Sequence, residues 1–121
     1  MDYVRIYADE NGVSHFEDVA ASVVEQRVAE GVPPLLLTGP FPVSSFTIAE
    51  QPPGNPAWDP HVAPRRQWVS AVRGRVAITV SDGERREFDP GELVFVEDLT
   101  GDGHTSTPLT ADFAFLILPI A

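Results

Sequence analysis

The sequence predicts an all-β fold, because turn residues interrupt a series of short apolar segments along most of the chain. Twelve prolines and nine glycines are spread through 121 residues, of which 43% are hydrophobic. About eight short strands joined by close turns are typical of a sandwich or barrel. A chain of this length has room for one core, so we expect a single domain over residues 1–121.

Two elements are predicted before the first proline pair. Residues 3–7 are β-prone and precede the turn signal Asp9-Glu10-Asn11-Gly12. Within residues 16–30, valines recur at roughly helical spacing, which predicts one short N-terminal helix. Gly31 and Pro33-Pro34 would end this element, because proline cannot continue a helix.

The rest of the chain predicts strands separated by turns. Residues 51–60 form a proline-rich loop that cannot lie inside a sheet. Asp82-Gly83 is typical of a hairpin turn, and Gly74 and Pro90-Gly91 mark two more turns. Between these turns, the predicted strands cover residues 35–37, 43–50, 67–72, 75–80, 85–88, 93–96 and 113–118.

The charge balance excludes several classes of partner. The chain has 18 acidic and 8 basic residues, for a net charge of −10. Such a surface repels phosphate backbones and anionic lipids, so we expect neither nucleic acid nor a membrane as a partner. No apolar run reaches the roughly 20 residues of a membrane helix. Residues 1–5 lack the pattern of a secretory signal, so a cytoplasmic location is expected.

The missing residue types narrow the chemistry. All eight basic residues are arginines, and cysteine is absent. Lysine Schiff bases, thiolate catalysis, disulfides and thiolate metal sites are therefore excluded. Imidazole chemistry is limited to His15, His61 and His104, and His15 is predicted to be a surface residue because it lies near the N-terminus.

Polar side chains alternate along the segment that begins at His61. If residues 61–71 form one extended strand, alternate side chains share a face. That face would carry His61, Ala63, Arg65, Gln67, Val69 and Ala71. An imidazole, a guanidinium and an amide beside small apolar positions are typical of a small-molecule pocket.

Two segments match the motifs of a known superfamily. The first motif of the cupins has a glycine, then His-x-His, three or four residues, Glu, six residues and Gly. His61 matches its first histidine, and Gly74 matches its last glycine. The second is a Pro-Gly turn, a strand and a histidine, as in Pro90-Gly91 and His104. The chain therefore resembles the cupins over about residues 43–118. This resemblance implies a double-stranded β-helix, that is, a jelly-roll barrel.

The resemblance also implies a metal site, from which this sequence departs. Cupins of the usual type hold a divalent transition metal with three histidines and a glutamate. Here Ala63 and Gln67 replace the second histidine and the glutamate, so the candidate ligands are His61, Gln67 and His104. One divalent metal (Zn, Fe, Ni or Mn) and no metal are both left open, because a neutral amide is a poorer donor than a carboxylate.

Other side chains receive roles by their position. Strand alternation directs Arg65 inward, where it would bind a substrate carboxylate or stabilise an enolate; a surface salt bridge is the alternative. Trp58 and Val69 are candidate substrate-binding walls, with the core or a subunit interface as the alternative for Trp58. Of the neighbours Glu97 and Asp98, at most one points inward as a general acid or base.

Two functions fit these residues. The first is a small-molecule enzyme of the isomerase, cyclase, lyase or oxygenase class. In it, His61, His104 and Arg65 are catalytic, and Gln67 contacts the substrate. The second is a non-catalytic ligand-binding or sensory protein without metal, which the loss of the second histidine and the glutamate favours.

The C-terminal segment suggests how the chain assembles. The run over residues 113–118 is too apolar for an exposed sheet edge. It must be central in a sheet or covered by another subunit, and a homodimer is expected.

Overall fold

The strands account for all regular structure in the computed structural model, which describes residues 1–52, 54 and 57–121. Eleven strands and no helix occur in these ranges, so the all-β prediction is confirmed. The described ranges accordingly contain no apolar helix of membrane-spanning length. The strands are β1 (Tyr3–Ala8), β2 (Ser14–Val19), β3 (Val24–Gln26), β4 (Leu35–Leu37), β5 (Thr47–Glu50), β6 (Gln67–Arg73), β7 (Val76–Val80), β8 (Arg85–Phe88), β9 (Val94–Val96), β10 (His104–Pro108) and β11 (Ala114–Pro119).

The strands form three sheets. The largest has six strands in the order β2-β1-β9-β6-β11-β5, in which β1 and β9 are parallel and the other pairs antiparallel. A second, antiparallel sheet has the order β10-β7-β8. β3 and β4 pair with each other in a separate two-stranded ladder, called the β3–β4 arm below.

The hydrophobic core lies between the six-stranded and three-stranded sheets. Val76, Ile78 and Val80 of β7 point into it together, because alternate residues of a strand share a face. From the larger sheet, Ile6 of β1 and Val94 of β9 meet them. Burying such a side chain contributes about 1.5–3 kcal/mol. The cluster therefore holds the two sheets face to face, in the manner of a β-sandwich.

The prediction of a short helix within residues 16–30 is wrong. β2 occupies the start of this segment and pairs with β1 over six consecutive residue pairs. Val23, Val24 and Val28 are each half or more exposed, so the valine spacing does not mark a buried helical face. Valine favours extended backbone, and pairing with β1 supplies the hydrogen bonds that a helix would otherwise provide.

Most predicted strands end within one residue of their predicted limits. The strand predicted at 43–50 begins only at Thr47, and the extended segment expected over 61–71 begins only at Gln67. Pro64 lies in the irregular part, where its missing N–H cannot join a ladder. The predicted loop 51–60 includes Pro53, Asn55 and Pro56, which are outside the described ranges, and its described residues contain no strand.

The apolar C-terminal run is central in its sheet. β11 pairs with β6 on one side and with β5 on the other. The run is therefore a central strand, which is the first of the two expected alternatives. A central strand does not require a second subunit to cover it.

Candidate functional site

A cavity of about 100 Å³ lies between the two core sheets. Strands of both sheets line it, and most of its wall is apolar or aromatic. The polar side chains that converge on it are those of His61, Gln67, Ser70, Glu92, His104 and Ser106. An apolar cavity with a few convergent polar groups is typical of a site for a small molecule.

His61 and His104 lie side by side on the cavity wall. Their backbones form an isolated antiparallel bridge, in which each N–H donates to the other residue's carbonyl oxygen at 3.0 and 2.9 Å. The ring centroids are 4.7 Å apart. The structure thus brings the two predicted histidines together, although through a single bridge rather than through a regular strand beginning at His61.

Gly103 allows the two backbones to approach. Its φ is +73°, and a Cβ atom there would overlap the carbonyl oxygen of His61. On the other side, the Gly103 carbonyl oxygen accepts a hydrogen bond of 2.6 Å from the hydroxyl of Ser14, which is fully buried. The segment before His104 is therefore packed between His61 and β2.

Asp98 orients the ring of His104. Its Oδ2 accepts a hydrogen bond of 2.6 Å from Nδ1 of His104, and both residues are buried. The other carboxylate oxygen, Oδ1, has no hydrogen-bond partner among the described residues. Because a carboxylate oxygen accepts this hydrogen bond, Nδ1 of His104 carries the proton, and in the neutral ring Nε2 keeps its lone pair.

In His61, too, Nδ1 carries the proton, but its hydrogen-bond partner is a backbone carbonyl oxygen. Its Nδ1 lies 2.9 Å from the backbone carbonyl oxygen of Asp59, which can only accept a hydrogen bond. Nδ1 of His61 therefore donates, and Nε2 is again the nitrogen with the lone pair in the neutral ring. No described residue forms a hydrogen bond with Nε2 of either ring, so both nitrogens are available to a bound molecule.

Gln67 and Ser106 add hydrogen-bond donors to the cavity. Gln67 is buried at the start of β6, where it pairs with Val96 of β9. Ser106 follows His104 by two residues on β10 and so shares its face. Neither side chain hydrogen-bonds to a described residue, whereas the Ser70 hydroxyl is already used by the carbonyl oxygen of Glu92 at 3.0 Å.

Trp58 and Val69, which the sequence analysis named as candidate substrate-binding walls, both line the cavity. The Trp58 ring is half-buried, and its centroid is 5.9 Å from those of His61 and Phe115. Trp68 packs instead in an aromatic cluster with Tyr3, Phe41 and Phe95 and is not part of the cavity lining.

The prediction that Arg65 points inward is wrong. Arg65 is exposed in the bend before β6 and is not among the described residues that line the cavity, whereas Ala63 and Gln67 on either side of it are buried and line it. The strand alternation assumed for 61–71 does not hold before Gln67, so it cannot direct Arg65. We therefore leave Arg65 out of the site.

Asp98 belongs to the site, and the sequence had named it together with Glu97 without deciding which of the two points inward. Its neighbour Glu97 points away and forms ion pairs with Arg5 at 2.8 Å and Arg66 at 3.5 Å. As predicted, only one of the two acidic neighbours points inward. The position of Asp98, two residues after the buried strand β9 and six residues before His104, was the available signal.

His15 lies outside the cavity in a separate charged cluster. Its Nε2 is 2.7 Å from Oδ2 of Asp9, and its Nδ1 is 2.8 Å from Oδ2 of Asp82. These two carboxylates raise the pKa of His15. The pKa of Asp9 is lowered mainly by His15, and that of Asp82 mainly by the backbone N–H of Glu84 and then by His15. The cluster joins the β1–β2 turn to the β7–β8 turn.

The donor atoms at the cavity form an incomplete set for a transition metal. His61 and His104 offer imidazole Nε2, and Gln67 offers an amide oxygen. Among the described residues, no group of three His, Asp or Glu side chains is placed to hold a metal ion. Protein sites for Zn, Fe and Ni usually combine three or four imidazole, carboxylate or thiolate ligands. Two imidazoles with one neutral amide fall short of that pattern.

Comparison with known proteins adds no relative. A scan against protein-family models finds no match, and a search of the curated proteins finds none. The side chains of the cavity are therefore the basis for inferring function.

Proposed function

We propose that the chain is a cupin-type small-molecule enzyme that catalyses a proton transfer in the cavity, with His104 as the base. The observation that carries this proposal is the buried Asp98–His104 pair, whose histidine lies beside His61 on the wall of a mostly apolar cavity. A histidine held by a carboxylate, with Nε2 facing a sheltered cavity, is a recurring arrangement for general acid–base catalysis.

The turn residues of the two motifs support the cupin assignment. Gly74 joins β6 to β7 with φ +75°, and a Cβ atom there would overlap the carbonyl oxygen of Asp112. Pro90-Gly91 joins β8 to β9, as the second motif requires. The matching positions thus lie at strand connections or on the cavity wall.

The proposed step moves one proton and one electron pair. Nε2 of His104 takes a proton from a carbon next to a substrate carbonyl, the C–H electron pair forms a C=C bond, and negative charge moves to the carbonyl oxygen. The imidazolium then returns the proton to a different atom of the same molecule, so no external reactant is required. Asp98 stabilises the imidazolium and keeps its ring in place.

Two donors are available for the oxygen on which charge develops. The Gln67 amide and the Ser106 hydroxyl line the same cavity and hydrogen-bond to no described residue. Fixed donors aimed at developing charge in a cavity that excludes water are among the strongest catalytic devices in enzymes. Gln67 therefore has a role that does not require it to be a metal ligand.

This chemistry selects among the reaction classes that the sequence left open. Isomerases, cyclases and lyases share a proton transfer at carbon, which the Asp98–His104 pair can carry out. Activation of dioxygen by a redox metal would need ligands beyond His61, His104 and Gln67. We therefore place the proposal in the first three classes.

Solvent deuterium exchange tests the proposal without knowledge of the natural substrate. Enolisable ketones of one-ring size are incubated with the protein in D₂O, and loss of the α-proton signal is followed by ¹H NMR. We expect exchange by the wild-type protein, none by His104→Ala, and wild-type rates for His15→Ala, the matched control outside the cavity. Exchange that persists in His104→Ala contradicts the proposal. Ligand binding without exchange by the wild-type protein would favour the non-catalytic alternative.

We also propose that the chain forms a homodimer through the β3–β4 arm. Leu36 is 73% exposed, and Val24 and Leu35 of the same arm are 59% and 43% exposed. A two-stranded ladder alone is marginally stable in water, and contiguous exposed apolar side chains commonly mark an interface. A second copy of the chain is the partner that would cover these side chains.

A further inference from the structure

We infer that the cavity selects a neutral, ring-sized molecule with a hydroxyl group, such as a phenol or an enol. This inference rests on the proposed function, since an enol is the form of the substrate that proton transfer by the Asp98–His104 pair would generate, and phenol is a stable molecule with the same group. It follows from three properties of the cavity: its charge, the hydrogen-bonding direction of its two histidines, and its size.

The charge of the cavity disfavours an anionic ligand. No arginine is among the described residues that line it, and the exposed Arg65 does not reach this lining. The acidic side chain in the lining is Glu92, whose Oε2 accepts a hydrogen bond of 2.9 Å from the N–H of Asp89. A carboxylate ligand would enter a mostly apolar cavity in which none of the described lining residues is an arginine, in a protein of net charge −10. This argues against the organic acids that Arg65 would have recognised.

The two histidines instead favour a hydrogen-bond donor. In the neutral rings, Nδ1 of His61 donates to Asp59 and Nδ1 of His104 donates to Asp98, so both Nε2 atoms are acceptors. A hydroxyl group can donate its hydrogen to one Nε2, while its oxygen accepts from Gln67 or Ser106. An ether or an ester oxygen offers no hydrogen and would leave both acceptors unpaired, at a cost in affinity.

The size and walls of the cavity favour a flat ring. Its volume is about 100 Å³, and an apolar cavity of roughly 150 Å³ in another protein admits benzene. Trp58, Phe88, Phe113 and Phe115 supply aromatic surface, with the last two stacked at a centroid distance of 5.3 Å. This cavity is smaller, so one ring is the upper limit of what it can hold, and larger substituents would extend out of it.

A matched ligand series tests the inference. Phenol, anisole and benzoate share one ring and differ in the group that would meet the histidines. Isothermal titration gives the three affinities, and histidine ring ¹⁵N shifts report hydrogen bonding at Nε2. We expect phenol to bind about tenfold more tightly than anisole or benzoate, with ¹⁵N shifts at His61 and His104 but not at His15. The His61→Ala/His104→Ala double variant should lose the preference for phenol, and His15→Ala should keep it.

The outcomes separate this inference from the proposed function. Benzoate or anisole binding as tightly as phenol, no binding of phenol, or a phenol preference that survives in the double variant overturns the ligand class. The deuterium exchange assay tests the proposed function independently of these binding results. Phenol selectivity in a wild-type protein that catalyses no exchange would support the inferred ligand class and contradict the proposed enzymatic activity.

Discussion

Nδ1 of His104 lies 2.6 Å from Oδ2 of Asp98, and the Asp98 side chain has no exposed surface. The carboxylate therefore acts on the cavity only through the imidazole that it holds. If proton transfer occurs at Nε2 of His104, the charge on Asp98 should affect its rate although Asp98 does not line the cavity.

Replacing Asp98 by Asn tests this dependence. Asparagine has the same size, and its oxygen can still accept a hydrogen bond, but it carries no charge to stabilise an imidazolium. We expect deuterium exchange to slow about 10²-fold or more, with little change in the melting temperature measured by circular dichroism. Glu97→Gln is the matched control, because Glu97 pairs with Arg5 outside the cavity. Equal rates in both variants would show that Asp98 has a structural role alone.

Replacing Gly103 by Ala should separate the two histidines. The new methyl group would overlap the carbonyl oxygen of His61, and alanine is strained at a φ of +73°. We expect destabilisation of about 1–3 kcal/mol from the backbone strain alone and loss of exchange activity. Gly83→Ala is the control, since Gly83 also has positive φ but no atom within contact of a new Cβ. Urea unfolding measures both variants, and full activity in Gly103→Ala would contradict the assigned role of the bridge.

The charged cluster at His15 predicts a pH dependence of stability. The pKa of His15 is raised above its ordinary value of 6.5, so its contribution is complete below about 6.5 and is lost as the pH rises through the higher folded value. The pKa values of Asp9 and Asp82 are lowered from 3.8, so their contribution is present above 3.8 and is lost as the pH falls through the lower folded values. The cluster therefore contributes its full stabilisation of the fold between about pH 3.8 and pH 6.5.

Thermal unfolding of wild type and His15→Ala across pH measures this contribution. We expect the difference in melting temperature to be largest at about pH 5–6 and to shrink as the pH rises through the folded pKa of His15. A difference that stays constant over this range would mean that the ion pairs of His15 contribute nothing. Exchange activity measured in parallel should not follow this profile, because His15 lies outside the cavity.

Replacing Leu36 by Asp should prevent association through the β3–β4 arm. Burying a carboxylate in an apolar interface is costly, so we expect the mass measured by light scattering to fall from twice 13.2 kDa to 13.2 kDa. Leu109→Asp, which adds the same charge at an exposed leucine outside the arm, should leave the mass unchanged. A wild-type protein that is monomeric at all concentrations would contradict the homodimer.

Removal of metal should leave exchange activity intact. Because His61, His104 and Gln67 form an incomplete donor set, the proposed proton transfer does not depend on a bound cation. We expect dialysis against a chelator to leave the rate unchanged, with elemental analysis of the same sample as the check. Loss of activity that is restored by one added divalent metal would favour the metal-assisted alternative.

The strands that form the core could be predicted from sequence because their apolar residues lie between strong turn signals. β7, for example, is bounded by Gly74 and by the Asp82-Gly83 turn. The helix expected over residues 16–30 failed because pairing of β2 with β1, a contact between strands, overrides a local valine pattern. The sequence of the segment alone contains no sign of that partner.

The site residues could be predicted where the residue type alone identified them. They could not be predicted where the local backbone conformation decides whether a side chain points inward. With three histidines in the chain, the motif spacing was enough to indicate that His61 and His104 meet. Arg65 was misplaced because the segment before Gln67 is irregular, so side-chain alternation does not apply. Asp98 and Glu97 look alike in sequence, and the irregular segment after β9 places only Asp98 in a buried position.

The reciprocal bonds between His61 and His104 have a consequence for engineering. Because main-chain hydrogen bonds join the two histidines, we expect residues such as Val69 and Phe115 to be exchangeable without displacing either imidazole. The molecule is thus a suitable starting scaffold for redesigning selectivity, in which the reactive centre stays constant while its surroundings are varied.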